Sequence, residues 1–376
     1  MRRTIIGAAL ALATAAALAG MPTASAAAPS ALRTAWASPA NQLLGAPGAA
    51  TRCTFSIRTH ASATGVALRL RNDAADDVVL TGLTVATSAN PARAVPLTVG
   101  RRLVFTLPAG AAVTTDVAPL AMATTDALVA TFTDLSGDVA PTAHSVGLEA
   151  GSCRDLDGGH AVTEDAPWFA DAVLVQGSVA QCDVAVLGDS ISDGLTLPVA
   201  QDARWLDRLA AGSDGRVLVA NASVSGNRLL DDTHGPGGVA RVGSDALDLT
   251  GVDRLVVEEG TNDLAAGRSA ARVLAAYRDI ARIAHARGVP VLIATVAPRA
   301  GSAGWTSKKE AQRRRLNLAV RTASGFDGVI DLDAAVRGGH GALRAGYGDD
   351  DHLHLTVEGQ DAVYRSAGVQ RLSSCA

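Results

Sequence analysis

The sequence of 376 residues contains very little lysine and few aromatic residues. Its 33 basic residues include only two lysines, Lys308 and Lys309, and its 37 acidic residues bring the formal net charge to −4. This balance argues against an extended basic surface for nucleic acid. Aromatic residues make up 3% of the chain, which also argues against a platform for stacked bases. We therefore expect no nucleic-acid partner.

Long apolar runs are absent beyond the first residues of the chain. Arg2 and Arg3 precede an apolar run over residues 5–19, and residues 24–26 read Ala-Ser-Ala. This is the pattern of a secretory signal, here residues 1–26, because the run is short for a bilayer span. We expect an exported, soluble protein without an integral membrane segment, and a membrane-spanning N-terminus is the weaker alternative.

Cysteine is scarce, with only four residues: Cys53, Cys153, Cys182 and Cys375. Export would place them in an oxidising compartment, and their long, irregular spacing is unlike that of a zinc site. Three pairings are open. We favour Cys53 with Cys153 and Cys182 with Cys375, because each bond would then link the ends of one predicted domain. Buried free thiols are the alternative.

Residues 53–133 alternate apolar and polar side chains with a period of two. Leu103, Phe105 and Leu107 form one such run, and turn-forming residues separate the runs at roughly even spacing. Alternation of this kind indicates half-buried strands, and no helical stretch is predicted here. We expect an antiparallel β-sandwich domain over residues 27–165.

The pattern weakens over residues 166–181, where we expect a connector, and changes after Cys182. Five short apolar runs then alternate with longer segments of helical period. The runs cover residues 184–187, 217–220, 255–257, 289–294 and 329–332. The clearest helix is predicted over residues 269–287. Residues 182–376 are therefore predicted to form an α/β domain around a parallel five-stranded sheet.

Polar segments that favour turns follow the predicted strands. They cover residues 188–193, 221–227 and 260–263, and a fourth lies near the C-terminus at residues 349–354. Ligands of open parallel sheets bind at the carboxyl ends of the strands. We expect these four segments to meet at one edge of the sheet.

These segments contain the groups that nucleophilic catalysis needs. A serine hydroxyl becomes a good nucleophile when an imidazole takes its proton and a carboxylate orients that imidazole. Ser190, His354 and Asp351 can fill these roles. The backbone N–H groups of Ser190 and Gly226 and the side-chain amide of Asn262 are candidate donors to an oxyanion.

Taken in order, the four segments resemble the SGNH hydrolase superfamily of esterases and lipases with a Gly-Asp-Ser motif. The resemblance covers about residues 182–372. It implies a flavodoxin-like three-layer domain and an oxyanion hole of Ser190, Gly226 and Asn262. It also implies Ser190 as nucleophile, His354 as base and Asp351 as the residue that orients it. The chain looks most like secreted bacterial members with an N-terminal β-sandwich domain.

Two features of the last segment depart from this pattern or complicate it. The family usually has proline after the catalytic histidine, whereas this chain has Leu355, a change that removes no functional group. Asp349 and His352 have the same spacing as Asp351 and His354. We favour the second pair because the residues that follow it match the family pattern.

The sequence therefore predicts an exported serine esterase that hydrolyses short acyl or acetyl esters of carbohydrates or lipids through an acyl-enzyme. We expect a small-molecule or glycan ester substrate, no cofactor and a monomer. Activity should rise through roughly pH 6 to 7, where histidine ordinarily loses its proton. An acyltransferase with the same triad is one alternative. A non-catalytic extracellular binding protein is a weaker one.

Two other chemistries are less well supported. The carboxylates and imidazoles of residues 349–354 are metal-ligand types, but neighbouring residues seldom complete a coordination sphere, so we expect no metal. Glu258 and Glu259 do not suit a glycosidase, because neighbours on a strand point to opposite faces. A glutamate at position 258, in a strand predicted to be buried, has no explanation at the level of sequence.

Overall fold

A computed structural model describes most of the chain. The residues it describes are 31–39, 42–43, 51–135, 142–143, 149–156, 161–163, 168–198 and 201–373. The predicted signal over residues 1–26 lies outside them. So does Cys375, and with it the predicted bond to Cys182.

The N-terminal part consists of antiparallel β-strands. They are β1 (Arg33–Ala37), β2 (Gln42–Leu43), β3 (Thr51–Arg58), β4 (Gly65–Asn72), β5 (Val78–Thr87), β6 (Val95–Pro96), β7 (Val104–Leu107), β8 (Ala111–Thr114), β9 (Ala127–Asp134), β10 (Thr142–Ala143), β11 (Glu149–Asp155), β12 (Ala161–Thr163) and β13 (Ala170–Gln176). One sheet has the order β1-β13-β4-β8 and the other the order β12-β11-β3-β9-β5-β6, with β7 paired to β5. β2 and β10 form a separate short pair.

The two large sheets share one hydrophobic core. Along β3, buried residues such as Phe55 and Ile57 alternate with more exposed ones, as the period of two predicts. Cys53 and Cys153 lie directly opposite each other on β3 and β11 and form a disulfide. The first predicted disulfide is therefore confirmed.

Two details of this region differ from the prediction. Leu103 is 54% exposed, because it lies in the turn before β7 and only Phe105 and Leu107 point into the core. Residues 170–176 of the predicted connector over residues 166–181 form strand β13, which pairs with β1 and β4. The exact bounds of the predicted domains remain a prediction.

The second part is a parallel sheet with helices on both faces, as predicted. Its strands are β14 (Cys182–Gly188), β15 (Val217–Asn221), β16 (Arg254–Glu258), β17 (Val291–Ala294) and β18 (Gly328–Ile330). Its helices are α1 (Ser190–Asp193), α2 (Trp205–Ala211), α3 (Gly238–Val242), α4 (Thr261–Ala265), α5 (Ala270–His285), α6 (Ser307–Thr322), α7 (Leu332–Val336), α8 (Val357–Tyr364) and α9 (Ala367–Leu372). The strand order β15-β14-β16-β17-β18 is that of a flavodoxin-like sheet.

Two apolar clusters flank this sheet and complete the three layers. α3, α5 and α6 pack on one face, and α2, α7, α8 and α9 pack on the other. α5 follows the prediction closely: Ser269 caps its first turn, and its stripe of Val273, Tyr277 and Ile280 is buried.

The β-sheet part packs directly on the α/β part. Arg33 on β1 donates hydrogen bonds to Asp183 and Asp253, both at 2.8 Å. Arg71 on β4 reaches Asp245 at 3.1 Å. Within the described residues, no helix is both long and apolar enough to cross a membrane.

Candidate active site

Ser190 is the first residue of α1, directly after the turn that follows β14. Asp189 caps the helix, because its Oδ1 accepts a hydrogen bond from the Ile191 N–H at 3.1 Å. Gly194 ends the helix with φ of 90°, a conformation that favours glycine. This strand–turn–helix arrangement places the Ser190 hydroxyl at the carboxyl edge of the sheet, where it is 4% exposed.

His354 links Ser190 to Asp351. Its Nε2 lies 2.8 Å from Ser190 Oγ, and its Nδ1 lies 2.5 Å from Asp351 Oδ2. An ionised carboxylate only accepts hydrogen bonds, so Nδ1 carries the proton and Nε2 is left to accept from the serine hydroxyl. The imidazole is therefore oriented to take a proton from Ser190.

Asp351 is held by the loop before α8. Its Oδ1 accepts hydrogen bonds from the backbone N–H groups of Leu353 and His354, each at 2.9 Å. Partial burial raises the pKa of Asp351, but these bonds and the His354 side chain outweigh it and lower the pKa overall. Asp351 therefore stays ionised in mildly acidic solution and keeps its partner oriented.

The alternative pair in the same segment does not reach Ser190. Asp349 Oδ1 accepts from the Asp350 N–H at 2.8 Å, and the His352 side chain lies against Gly301. Of the two pairs with this spacing, the structure brings Asp351 and His354 to the serine. In the described part of the chain, no group of three histidine, cysteine or acidic side chains is placed to hold a metal ion.

The three candidate oxyanion donors lie at the start of α1, in a turn after β15 and in the first turn of α4. Asn262, the second residue of α4, donates its side-chain N–H to the backbone oxygen of Asn227 at 3.0 Å, which joins it to the segment that carries Gly226. The backbone N–H groups of Ser190 and Gly226 have no acceptor among the described residues. Gly226 has φ of 77°, and a Cβ atom there would lie 2.7 Å from His234, so the turn requires glycine.

Glu258 has a structural role that the sequence did not reveal. Its Oε2 accepts hydrogen bonds from the Ser192 N–H at 3.2 Å and the Ser192 hydroxyl at 2.8 Å. The indole N–H of Trp205 donates to the same hydroxyl at 3.1 Å. Burial, together with the nearby charge of Asp189, raises the pKa of Glu258 well above its ordinary value. Glu258 therefore fixes the helix that carries Ser190.

Arg241 donates hydrogen bonds to two segments of the site, a role that was not predicted from the sequence. Only 2% exposed, it donates to Asn227 Oδ1 at 3.0 Å and the Gly188 oxygen at 3.1 Å, and it pairs with Glu259. Glu258 and Glu259 thus point to different partners, as expected for neighbours at a strand end. The only signal in the sequence was the presence of an arginine in the short segment that forms α3. The structure shows that this arginine is on the buried side of the helix.

Comparison with known proteins gives one family match. Residues 186–362 match the GDSL-like Lipase/Acylhydrolase family. Ser190, Gly226, Asn262, Asp351 and His354 all lie inside this segment. No curated protein gives a significant match to the chain.

Solved structures that resemble the chain cover about half of it. The crystal structure of TesA is 23% identical, with 50% of this chain and 97% of that one covered and a TM-score of 0.38. A carbohydrate acetylesterase family member from Sinorhizobium meliloti is 18% identical, with 52% and 99% covered and a TM-score of 0.42. The psychrotrophic esterase EstA from Pseudoalteromonas sp. is 16% identical, with 48% and 92% covered and a TM-score of 0.36.

Proposed function

Because residues 186–362 match the GDSL-like Lipase/Acylhydrolase family, we propose that this protein is a serine esterase. It hydrolyses carboxylic esters through a covalent acyl-enzyme on Ser190. The main support for this proposal is the contact between Ser190 Oγ and His354 Nε2, which lie 2.8 Å apart. It supplies a nucleophile and its base in direct hydrogen-bond contact.

In the first half of the reaction, Ser190 Oγ attacks the ester carbonyl and its proton moves to His354 Nε2. The positive imidazolium is stabilised by Asp351, to which Nδ1 continues to donate. The N–H groups of Ser190, Gly226 and Asn262 donate to the oxyanion of the tetrahedral intermediate. Collapse of this intermediate breaks the bond to the alcohol oxygen, which takes the proton from His354.

In the second half, water attacks the acyl-enzyme. His354 takes one proton from the water, and a second tetrahedral intermediate forms at the same carbonyl carbon. Its collapse releases the carboxylic acid and returns the proton to Ser190 Oγ. These steps need only the groups of the chain and water.

The proposal includes export and a short acyl or acetyl ester of a carbohydrate or lipid as substrate. The Cys53–Cys153 disulfide suits an oxidising compartment. The β-sheet part is proposed to act as an accessory domain that supports the α/β part.

Hydrolysis of a series of 4-nitrophenyl esters from acetate to decanoate tests the proposal. We expect the highest kcat/KM for short acyl groups, no effect of a chelator, and loss of activity in Ser190→Ala. An alcohol acceptor added to the reaction should yield little transferred ester. Activity that survives Ser190→Ala would contradict the assignment of the nucleophile, and a dominant transfer product would favour an acyltransferase.

A further inference from the structure

Arg299 is a buried cation beside the candidate active site that has no role in the proposed mechanism. It follows β17 and is only 7% exposed. Its Nη1 donates to the backbone oxygen and the hydroxyl of Thr261, at 3.3 and 3.0 Å, and its Nε donates to Ser302 Oγ at 3.2 Å. The guanidinium carbon lies 4.9 Å from the ring centre of Trp305. These contacts hold the guanidinium in one orientation.

The surroundings place Arg299 next to the reacting groups. Thr261 directly precedes Asn262, a candidate oxyanion donor. Two residues beyond Arg299, the backbone at Gly301 lies against the imidazole of His352, in the segment that carries Asp351 and His354. The loop that begins at Arg299 is therefore packed between two of the segments that form the site.

The charge of Arg299 has no direct counter-charge. Among the described residues, no acidic side chain forms an ion pair with it, although the charges of Asp189 and Asp351 partly offset the lowering of its pKa by burial. Other deeply buried arginines of this chain do have such partners: Arg241 pairs with Glu259, and Arg313 with Asp333. Burial of a cation without a counter-charge costs free energy, so an anion bound beside Arg299 would be stabilising.

Asp189, the residue that precedes Ser190, offsets the charge of Arg299 only in part. Burial is the main cause that raises the pKa of Asp189 to about 8, while the charge of Arg299 lowers it, so the carboxyl is largely protonated in neutral solution. The Nη2 group of Arg299, by contrast, has no hydrogen-bond partner among the described residues, whereas Nε and Nη1 both do. It is free to donate to a ligand.

We propose that Arg299 binds a carboxylate of the substrate beside the scissile bond, so that the preferred substrates are esters that carry an acidic group. This inference rests on the proposed esterase function and adds a substrate class to it. Arg299 is then a specificity residue: Thr261, Ser302 and Trp305 orient its guanidinium, and Nη2 donates to the carboxylate. A charge-assisted hydrogen bond of this kind is typically worth about 10- to 100-fold in affinity.

A matched pair of esters tests the proposal: 4-acetoxybenzoate, which is anionic, and its neutral methyl ester. In the wild-type protein we expect a higher kcat/KM for the anionic ester. In Arg299→Gln the ratio of the two values should fall about 10- to 100-fold, and Arg299→Lys, which keeps the charge, should retain part of the preference. Arg287→Gln is the matched control, because Arg287 is exposed, pairs with Asp248 and lies beyond the end of α5.

A second measurement needs no variant. Benzoate should inhibit hydrolysis of the methyl ester by the wild-type protein more strongly than benzamide does. The inference is overturned if the wild-type protein shows no preference for the anionic ester, if benzoate and benzamide inhibit equally, or if Arg299→Gln slows both esters by the same factor. The proposed esterase function fails separately, if neither ester is hydrolysed or if Ser190→Ala still cleaves both.

Discussion

Glu258 accepts hydrogen bonds from both the backbone N–H and the hydroxyl of Ser192, at 3.2 and 2.8 Å. Ser192 lies two residues after Ser190 on the four-residue helix α1, and Glu258 is the last residue of the neighbouring strand β16. These two bonds therefore tie the helix of the nucleophile to the centre of the sheet. We infer that Glu258 is a positioning residue for Ser190.

Replacement of Glu258 should separate this role from a purely structural one. In Glu258→Ala, Ser192 loses its acceptor, and a small displacement of Ser190 should lower kcat about 10- to 100-fold with little change in KM. Glu258→Gln keeps a side-chain oxygen that can accept both hydrogen bonds from Ser192, so it should restore most of kcat. Steady-state kinetics on both folded variants check this, and equal activity of Ala and Gln would contradict it.

Asn262 should contribute to the transition state rather than to substrate binding. Its side-chain N–H is held near Gly226 by the bond to Asn227, and loss of one oxyanion donor typically costs about 100- to 1,000-fold in kcat. We expect Asn262→Ala to show such a loss with KM nearly unchanged. Asn90→Ala, at an exposed turn of the β-sheet part, is the control and should keep full activity. A rise in KM alone would contradict this role.

The β-sheet part should influence catalysis through Arg71. Arg71 contacts Asp245, which also lies 3.6 Å from Arg241, the residue beneath the loops of the active site. We expect Arg71→Gln to lower kcat about 3- to 10-fold, because even a slight shift of these loops misplaces the reacting groups. Arg69→Gln removes an ion pair with Asp171 inside the β-sheet part and should lower stability without lowering kcat of the folded protein. The same fall in kcat in Arg71→Gln and Arg69→Gln would contradict a specific effect of Arg71 on the loops of the active site.

Much of the fold could be predicted from sequence, and so could the contact of His354 with Ser190 and Asp351. Short apolar runs bounded by turns predict buried parallel strands, and turn-forming residues at their carboxyl ends mark the site. Strand β13 was missed because it is buried almost throughout and shows no alternation, and its partners β1 and β4 are distant in sequence. Pairing between distant strands leaves no local pattern.

The buried polar network around the site could not be predicted for a similar reason. Glu258 meets a partner 66 positions away, and Arg241 meets Asn227 and Gly188 only after the loops have folded over α3. A sequence shows that a charged residue falls within a buried element. It does not show which group will compensate the charge, because that depends on tertiary packing.

Asp189 should make stability decrease as pH rises. Burial is the main cause that raises its pKa to about 8, from an ordinary value near 4 in the unfolded chain. Between these values the folded protein binds more protons than the unfolded one, so the free energy of unfolding falls with pH across this window. Asp189→Asn removes the titration and can keep the cap on Ile191.

Urea unfolding at about pH 5 and about pH 9 checks this prediction. From the lower to the higher pH, the free energy of unfolding of the wild-type protein should fall by at least about 1 kcal/mol more than that of Asp189→Asn. The comparison cancels the contributions of groups that titrate in both proteins. The same loss in the two proteins would show that Asp189 is ionised throughout.

The central claim is that Ser190 is a nucleophile activated by His354. The most direct measurement is mass spectrometry of the protein after reaction with a fluorophosphonate, which bonds covalently to activated serine. We expect a single adduct on Ser190, none in Ser190→Ala, and a much slower reaction in His354→Ala. An unmodified Ser190 in a protein that still hydrolyses esters, or an adduct on another residue with activity intact in Ser190→Ala, would contradict the claim.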